Sequence, residues 1–174
     1  MTVQKAQKSD IDSIEKIYDR IHDNEEQGLA TIGWIRSVYP TRKTAEAALE
    51  RDDLFVMVDG GNVVAAAVIN QTQVYEYKDA AWKHIAEDRE VMVLHCLVVD
   101  PLESGKGYGR DFVAFYEDYA KRHGCPALRM DTNVKNKRAR KLYHTLGYEE
   151  VGVVQCVFNG IPDVHLVCLE KYLG

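Results

Sequence analysis

Three glycines, Gly105, Gly107 and Gly109, fall within five positions of the stretch ESGKGYGRDF, residues 103–112. Glycine admits positive φ and lets a ligand approach the backbone with no Cβ in the way. A helix beginning just after such a turn aims unpaired N–H groups and its positive dipole end at whatever sits there, which is the chemistry of anion binding. Lys106 and Arg110 add positive charge, so a pyrophosphate is the natural guest. Two common phosphate motifs do not fit. A Walker A loop needs Ser or Thr after its lysine, but Lys106 is followed by Gly107, and no glycine stands five residues before Gly105. A dinucleotide fingerprint needs G-x-G-x-x-G, and Gly109 comes one residue too early.

The elements around this turn can be read from periodicity. The nine residues VMVLHCLVV (91–99) run almost without polar interruption and predict a central strand buried on both faces, ended by Asp100-Pro101. After the glycines, Phe112, Phe115, Tyr116 and Tyr119 mark one helix face, with a stop at His123-Gly124. ALRMDT reads as a short strand, and Asn136 to Leu146 as a helix closed by Gly147. Strand, glycine turn, helix and strand in that order require a right-handed parallel crossover.

Upstream, TVQKAQ reads as a first strand. A helix follows from an N-cap at Ser9, with Ile14, Ile17, Tyr18 and Ile21 on one stripe, and a second helix spans Thr41 to Arg51. A hairpin turns at Asp59-Gly60-Gly61-Asn62, and a strand pair around Asn159-Gly160 ends the chain. The sheet must therefore be mixed and mostly antiparallel, an α+β arrangement with one parallel βαβ crossover flanked by helices. No linker, repeat or low-complexity tract interrupts it, so one domain is expected over residues 1–174.

Composition narrows the function classes. The 174 residues are 46% hydrophobic and 28% charged, an ordinary globular balance. The formal net charge of -5 argues against a nucleic-acid backbone binder and is compatible with a cationic substrate. Cys96, Cys125, Cys156 and Cys168 form no C-x-x-C pair, and three lie in apolar runs, so buried reduced thiols are expected rather than disulfides or a metal site. The first residues, MTVQKAQKSDID, lack a signal-peptide core, and no apolar run approaches the ~20 residues of a membrane span. A cytoplasmic protein is expected, monomer or homodimer, with no nucleic-acid or membrane partner.

LHCLVVDP, SGKGYGRDF and NKRARKLYHTLGY together resemble the GNAT superfamily of N-acetyltransferases. Its signature [Q/R]-x-x-G-x-[G/A] is met by Gly107 and Gly109, with Ser104 where Gln or Arg is usual. Its second signature, N-x-x-A-x-x-x-Y-x-x-x-G-[F/Y], is met in full by Asn136, Ala139, Tyr143, Gly147 and Tyr148. The resemblance covers roughly Val91 to Tyr148. It implies the GNAT-like acyl-CoA N-acyltransferase fold and transfer of an acetyl group from acetyl-CoA to a primary amine of a small molecule or peptide, in a ternary complex. It also implies that Ser104, Gly105, Lys106, Gly107, Tyr108, Gly109 and Arg110 cradle the pyrophosphate of coenzyme A. Leu97, Val98 and Val99 would pair with pantetheine as an added strand. Asn136 would hold pantetheine amides, and Tyr143 would protonate the departing thiolate.

For the general base, His95 on the same strand is one candidate, and Glu76 and Glu90 are others. How much a base matters depends on the acceptor: at pH 7 a lysine-like amine is uncharged in roughly one molecule in 2,500, an α-amino group in roughly one in seven. Aromatics at Trp34, Tyr39, Tyr75, Tyr77 and Trp82, with Glu25, Glu26, Glu76 and Asp79 nearby in sequence, are the candidate enclosure for an amine. A non-catalytic acyl-CoA-binding module of the same fold is the alternative reading.

Overall fold

The computed structural model describes residues 1–174. Its strands are β1 (Thr2–Lys5), β2 (Leu54–Asp59), β3 (Asn62–Asn70), β4 (Val91–Val99), β5 (Ala127–Asn133), β6 (Glu149–Phe158) and β7 (Ile161–Tyr172). Its helices are α1 (Ile11–Glu26), α2 (Arg42–Glu50), α3 (Tyr108–Arg122) and α4 (Lys137–Thr145). All seven strands form one sheet in the order β1-β2-β3-β4-β5-β7-β6. Only the β4–β5 pair is parallel, as the crossover through α3 requires; every other neighbour is antiparallel. No helix is long and apolar enough to cross a membrane.

Side-chain alternation along the strands assigns the two faces. Met92, Leu94, Leu128 and Met130 pack under the α3 side chains Phe112 and Tyr116. Val56, Ala66, Val68 and Val98 meet α1 and α2 through Ile14, Ile17 and Ala48 on the other face. A buried polyvaline-like strand at the centre and amphipathic helices on both sides thus give two cores separated by the sheet.

The sheet is interrupted where it matters most. Opposite β3, Val98 pairs with Ala66 and His95 with Val68, so Cys96 and Leu97 together face the single residue Ala67. Cys96 has φ +50°, a left-handed conformation that makes this a bulge. On the other side of β4, the ladder to β5 runs from Val91–Ala127 to Leu94–Met130 and stops there. Beyond that point β4 and β5 diverge, and β5 continues its pairing only with β7. The expectation that β4 is buried on both faces therefore holds for Val91 to Leu94 and for Val98, while His95, Cys96 and Leu97 are half-buried because the neighbouring strand has left.

Two helix starts also differ from expectation. Ser9 lies inside a 3-10 turn (Lys8–Asp10) rather than capping α1, and the Asp10 carboxylate accepts the Gln7 N–H at 2.8 Å, so the acid holds the turn. Asn136 stands just before α4, not in it, and its Oδ1 accepts the Ala139 N–H at 3.1 Å as a cap.

Just before the divergence, the buried phenol of Tyr116 donates to Met92 O at 2.6 Å, with Arg129 O also at 3.2 Å, and so ties α3 to both parting strands. Tyr116→Phe leaves those buried carbonyls short of a donor and should lower unfolding free energy by about 1–3 kcal/mol, read as a shift of the urea midpoint at constant m-value.

Candidate active site

At one end of the opening, Asp100 prepares the glycine turn. Its Oδ1 accepts the Leu102 N–H at 3.0 Å, and its Oδ2 lies 2.5 Å from Arg20 Nη1 on α1, which anchors the chain as it leaves β4. Gly105 and Gly107 both need glycine for their φ of +86° and +88°. Gly107 caps α3, whose first helical bond runs from the Asp111 N–H to Gly107 O at 3.1 Å, so the preceding N–H groups lack helical partners. Gly109 serves a different purpose. A Cβ there would stand 3.3 Å from Leu142 Cδ2 and 3.8 Å from Val99 Cγ2, so its absence lets α3 lie close against α4 and β4.

From this turn a cleft of about 980 Å³ runs through the opened sheet to the opposite face. Ser104, Gly105, Gly107, Tyr108, Gly109 and Arg110 line its mouth, and Leu97, Val98 and Val99 line its β4 wall. Asn136 and Tyr143 line the wall made by α4. Lys106 does not line the cleft; its ammonium is paired with Glu103. The Tyr108 side chain turns away, its phenol donating to Asp59 Oδ2 at 2.5 Å, and contributes to the mouth while fastening it to the β2–β3 hairpin.

Sequence reasoning missed Arg138. It lines the cleft from α4, and its Nη2 donates to Ser104 Oγ at 2.8 Å. The position where the first signature usually carries Gln or Arg is therefore reached by a guanidinium from the second signature. The signal was present in NKRAR, but nothing in one sequence says that this arginine meets residue 104.

At the far end, Trp34 and Tyr39 stand edge to face with centroids 5.8 Å apart, and Phe158 and Ile161 from the β6–β7 turn close the opposite side. Glu25 does not line this end. Its carboxylate accepts the Ile32 and Gly33 N–H groups at 2.5 and 2.9 Å and so shapes the segment that carries Trp34. Glu26 pairs with Arg36. Tyr75 is exposed, under the Lys78 ammonium, and lies outside the cleft. Tyr77 is buried behind the cleft rather than in it, with Trp82 donating to its carbonyl at 2.7 Å.

His95 is not brought to the cleft. It pairs across the ladder with Val68, and its Nε2 meets Asn70 Oδ1 at 3.0 Å. Burial pulls its pKa down to about 4, so it is neutral at physiological pH, held in a structural hydrogen bond. The Glu90 carboxylate accepts the Glu87 N–H at 2.9 Å and holds a 3-10 turn instead.

Two ionisable groups line the cleft from opposite faces of the sheet. Tyr143 belongs to the core under α3 and α4. Asp131, on β5, follows the parity of Ala127 and so lies on the face of Tyr77 and Cys168. The Tyr77 phenol donates to Asp131 Oδ2 at 2.8 Å, and no cation pairs with the carboxylate. Burial pushes its pKa up to about 6, with the nearby negative charge of Glu76 adding to the rise and the Tyr77 hydrogen bond opposing it. Burial also raises the Tyr143 phenol well above its ordinary value, and the charges of Asp131 and Cys96 raise it further. The Cys96 thiol is pushed up to about 11 by burial, so it is no nucleophile at neutral pH.

A carboxyl whose folded pKa lies above its unfolded value binds protons more tightly in the native state. Its ionisation therefore costs stability as pH rises from about 4 through about 6, and the cost persists above that window. Asp131→Asn keeps an acceptor for Tyr77 without the charge. It should stabilise the fold by about 1–3 kcal/mol at pH 8 and by much less at pH 4.5, measured by urea unfolding at both pH values.

The family model for the acetyltransferase (GNAT) family matches residues 13–148. The chain is 26% identical over 161 residues to the N-acetyltransferase YhfO of Bacillus subtilis, covering 91% of this chain and 97% of that protein. It is 36% identical over 77 residues to an N-acetyltransferase of Methanocaldococcus jannaschii, covering 44% of this chain but only 34% of that longer relative. The fold superimposes on yncA, an acetyltransferase of Salmonella typhimurium crystallised with its cofactor acetyl-CoA, with a TM-score of 0.69 and 20% identity, covering 100% of this chain and 94% of that one. The matched span takes in the glycine turn, the opened sheet and the α4 wall: the chain belongs to the GNAT acetyltransferase family.

Proposed function

We propose that the chain transfers an acetyl group from acetyl-CoA to a primary amine of a small molecule or peptide, by direct attack in a ternary complex. The observation that carries this reading is the cleft itself, which joins an anion-ready glycine turn on one face to an aromatic-lined end on the other. The bound cofactor of yncA supports the choice of acetyl-CoA.

The residues present suit such a guest. Free N–H groups at the start of α3, the Arg110 and Arg138 guanidiniums and the Cβ-free Gly107 would hold a pyrophosphate. Past Leu94, β4 has no neighbour on its β5 side, so Cys96 to Val99 offer backbone groups to an extended chain, as an edge strand does. The cofactor supplies an activated acyl thioester. Tyr143 keeps its proton throughout the neutral range, because burial and nearby negative charge disfavour phenolate, and delivers it as sulfur departs. Asn136, spent on capping α4 through its Oδ1, contributes mainly by fixing the helix that carries Tyr143.

Tyr143→Phe should lower kcat about 10²-fold and leave the Kd for acetyl-CoA within about threefold, because the ring stays packed while the proton donor is lost. Arg138→Ala should do the reverse, weakening CoA binding by about 10-fold, since a charge-assisted contact to phosphate is lost. Calorimetry of CoA binding and thiol release against a panel of amines separate the two. No acetyl transfer to any amine despite tight CoA binding would contradict the enzyme reading.

A further inference from the structure

Resting on the acetyl-transfer reading, we infer that Asp131 is the residue that receives the acceptor as its ammonium ion and takes the ammonium proton, and that the acceptor is a primary amine carried on an apolar or aromatic body. Four observations lead there. Asp131 is a carboxylate in the wall of the cleft with no lysine, arginine or histidine partner. Its one hydrogen bond uses Oδ2, from Tyr77, which leaves Oδ1 for a ligand. It lies on the face opposite to the glycine turn, where the acceptor must enter if the cofactor occupies the other face. The walls around that end include Trp34, Tyr39, Phe158, Ile161, Val164 and Leu166, a surface for an apolar body and cation–π contact.

The groups around Asp131 come from every packed element. They are Glu76 and Tyr77 of the 3-10 turn at 75–79, Tyr39 of the α1–α2 connection, and Cys96 of β4. Tyr143 of α4, Cys156 of β6 and Cys168 of β7 complete the set. Burial holds the tyrosines and cysteines among them in their neutral forms, and none of the groups is a cation that would repel an ammonium ion. A pKa near 6 places the Asp131 carboxylate where a general base works best, ionised at pH 7 yet basic enough to accept a proton.

The proton balance closes. R–NH3⁺ gives one proton to Asp131, and the free amine attacks the acetyl carbonyl carbon. The C–N bond forms and the C–S bond breaks. The second amine proton compensates the one that Tyr143 gives to sulfur, and Asp131 returns its proton to solvent, so one H⁺ is released per amide and thiol formed. Because ionised Asp131 raises the Tyr143 pKa, its protonation makes the phenol a stronger acid at the step that needs one.

Thiol release from acetyl-CoA tests this with two acceptors, 2-phenylethylamine and hydroxylamine, the second already uncharged at pH 7.5. Asp131→Asn should lower kcat/KM for 2-phenylethylamine by at least about 10²-fold while leaving hydroxylamine within about fivefold and CoA binding unchanged. Tyr77→Phe removes a hydrogen bond that favours the ionised carboxylate, so the acid limb of the 2-phenylethylamine pH profile should move upward. As a readout independent of turnover, the Asp131 carboxyl ¹³C resonance should titrate near pH 6, and 2-phenylethylamine, but not 2-phenylethanol, should lower that midpoint. Equal activity of Asp131→Asn and wild type with 2-phenylethylamine would overturn the inference, as would equal loss with both acceptors or an unmoved ¹³C midpoint. Failure of wild type to bind CoA would instead overturn the acetyl-transfer reading beneath it.

Discussion

The structure depends on a ladder that stops. β4 and β5 pair in parallel for four residues, Val91–Ala127 to Leu94–Met130, and then part. β4 bulges at Cys96 and Leu97 but keeps its pairing with β3, and β5 holds to β7 for its whole length. A parallel pair in mid-sheet is normally covered by helices and closed to solvent. Here its lower half is closed and tied by Tyr116, and its upper half is a passage through the sheet. Backbone polar groups left without a strand partner are tolerated where they line such a passage, because a ligand or water can satisfy them. The glycine turn, α4 and the aromatic end are arranged around that gap.

The passage also sets the electrostatics. It is deep enough to disfavour charge, so Tyr143, Cys96 and Cys168 are all pushed toward their neutral forms and Asp131 toward the middle of the pH range. Nothing nearby compensates Asp131, and a buried unpaired carboxylate is destabilising unless something with opposite charge arrives. Stability given up at a site in this way is commonly linked to function. Two groups on opposite faces of one sheet thereby sense each other's protonation through the opening between strands.

Much of this was legible in the sequence. Apolar runs, turn residues, helix formers and the 3.6 period located every strand and α-helix, and the glycine turn with NKRARKLYHTLGY marked the family and the cofactor-side wall. Local spacing carries such information because those residues act on neighbours a turn or two away. What the sequence did not show was long-range. His95, a candidate base on the same strand, lies on the β3 side of β4, hydrogen-bonded to Asn70 and outside the cleft, and the bulge after it reverses the parity of Leu97 to Val99. ALRMDT read as a short strand with nothing to single out Asp131, whose carboxylate lies in the cleft where β4 has parted from β5. Ser104 stands where Gln or Arg is usual, and spacing alone does not show that α4 brings Arg138 to it. Tyr75 and Tyr77, adjacent in reading, separate to the surface and the interior because a 3-10 turn points alternate residues apart.

The most direct test of the central claim, that the gap between β4 and β5 is where acetyl-CoA lies, is residue-resolved amide hydrogen exchange with and without acetyl-CoA. The account predicts slowed exchange at Leu97 to Val99 and at Tyr108 to Asp111, with the β1 edge and the β6 edge unchanged. Unchanged exchange at both of those segments when acetyl-CoA is bound, with protection appearing elsewhere, would contradict it.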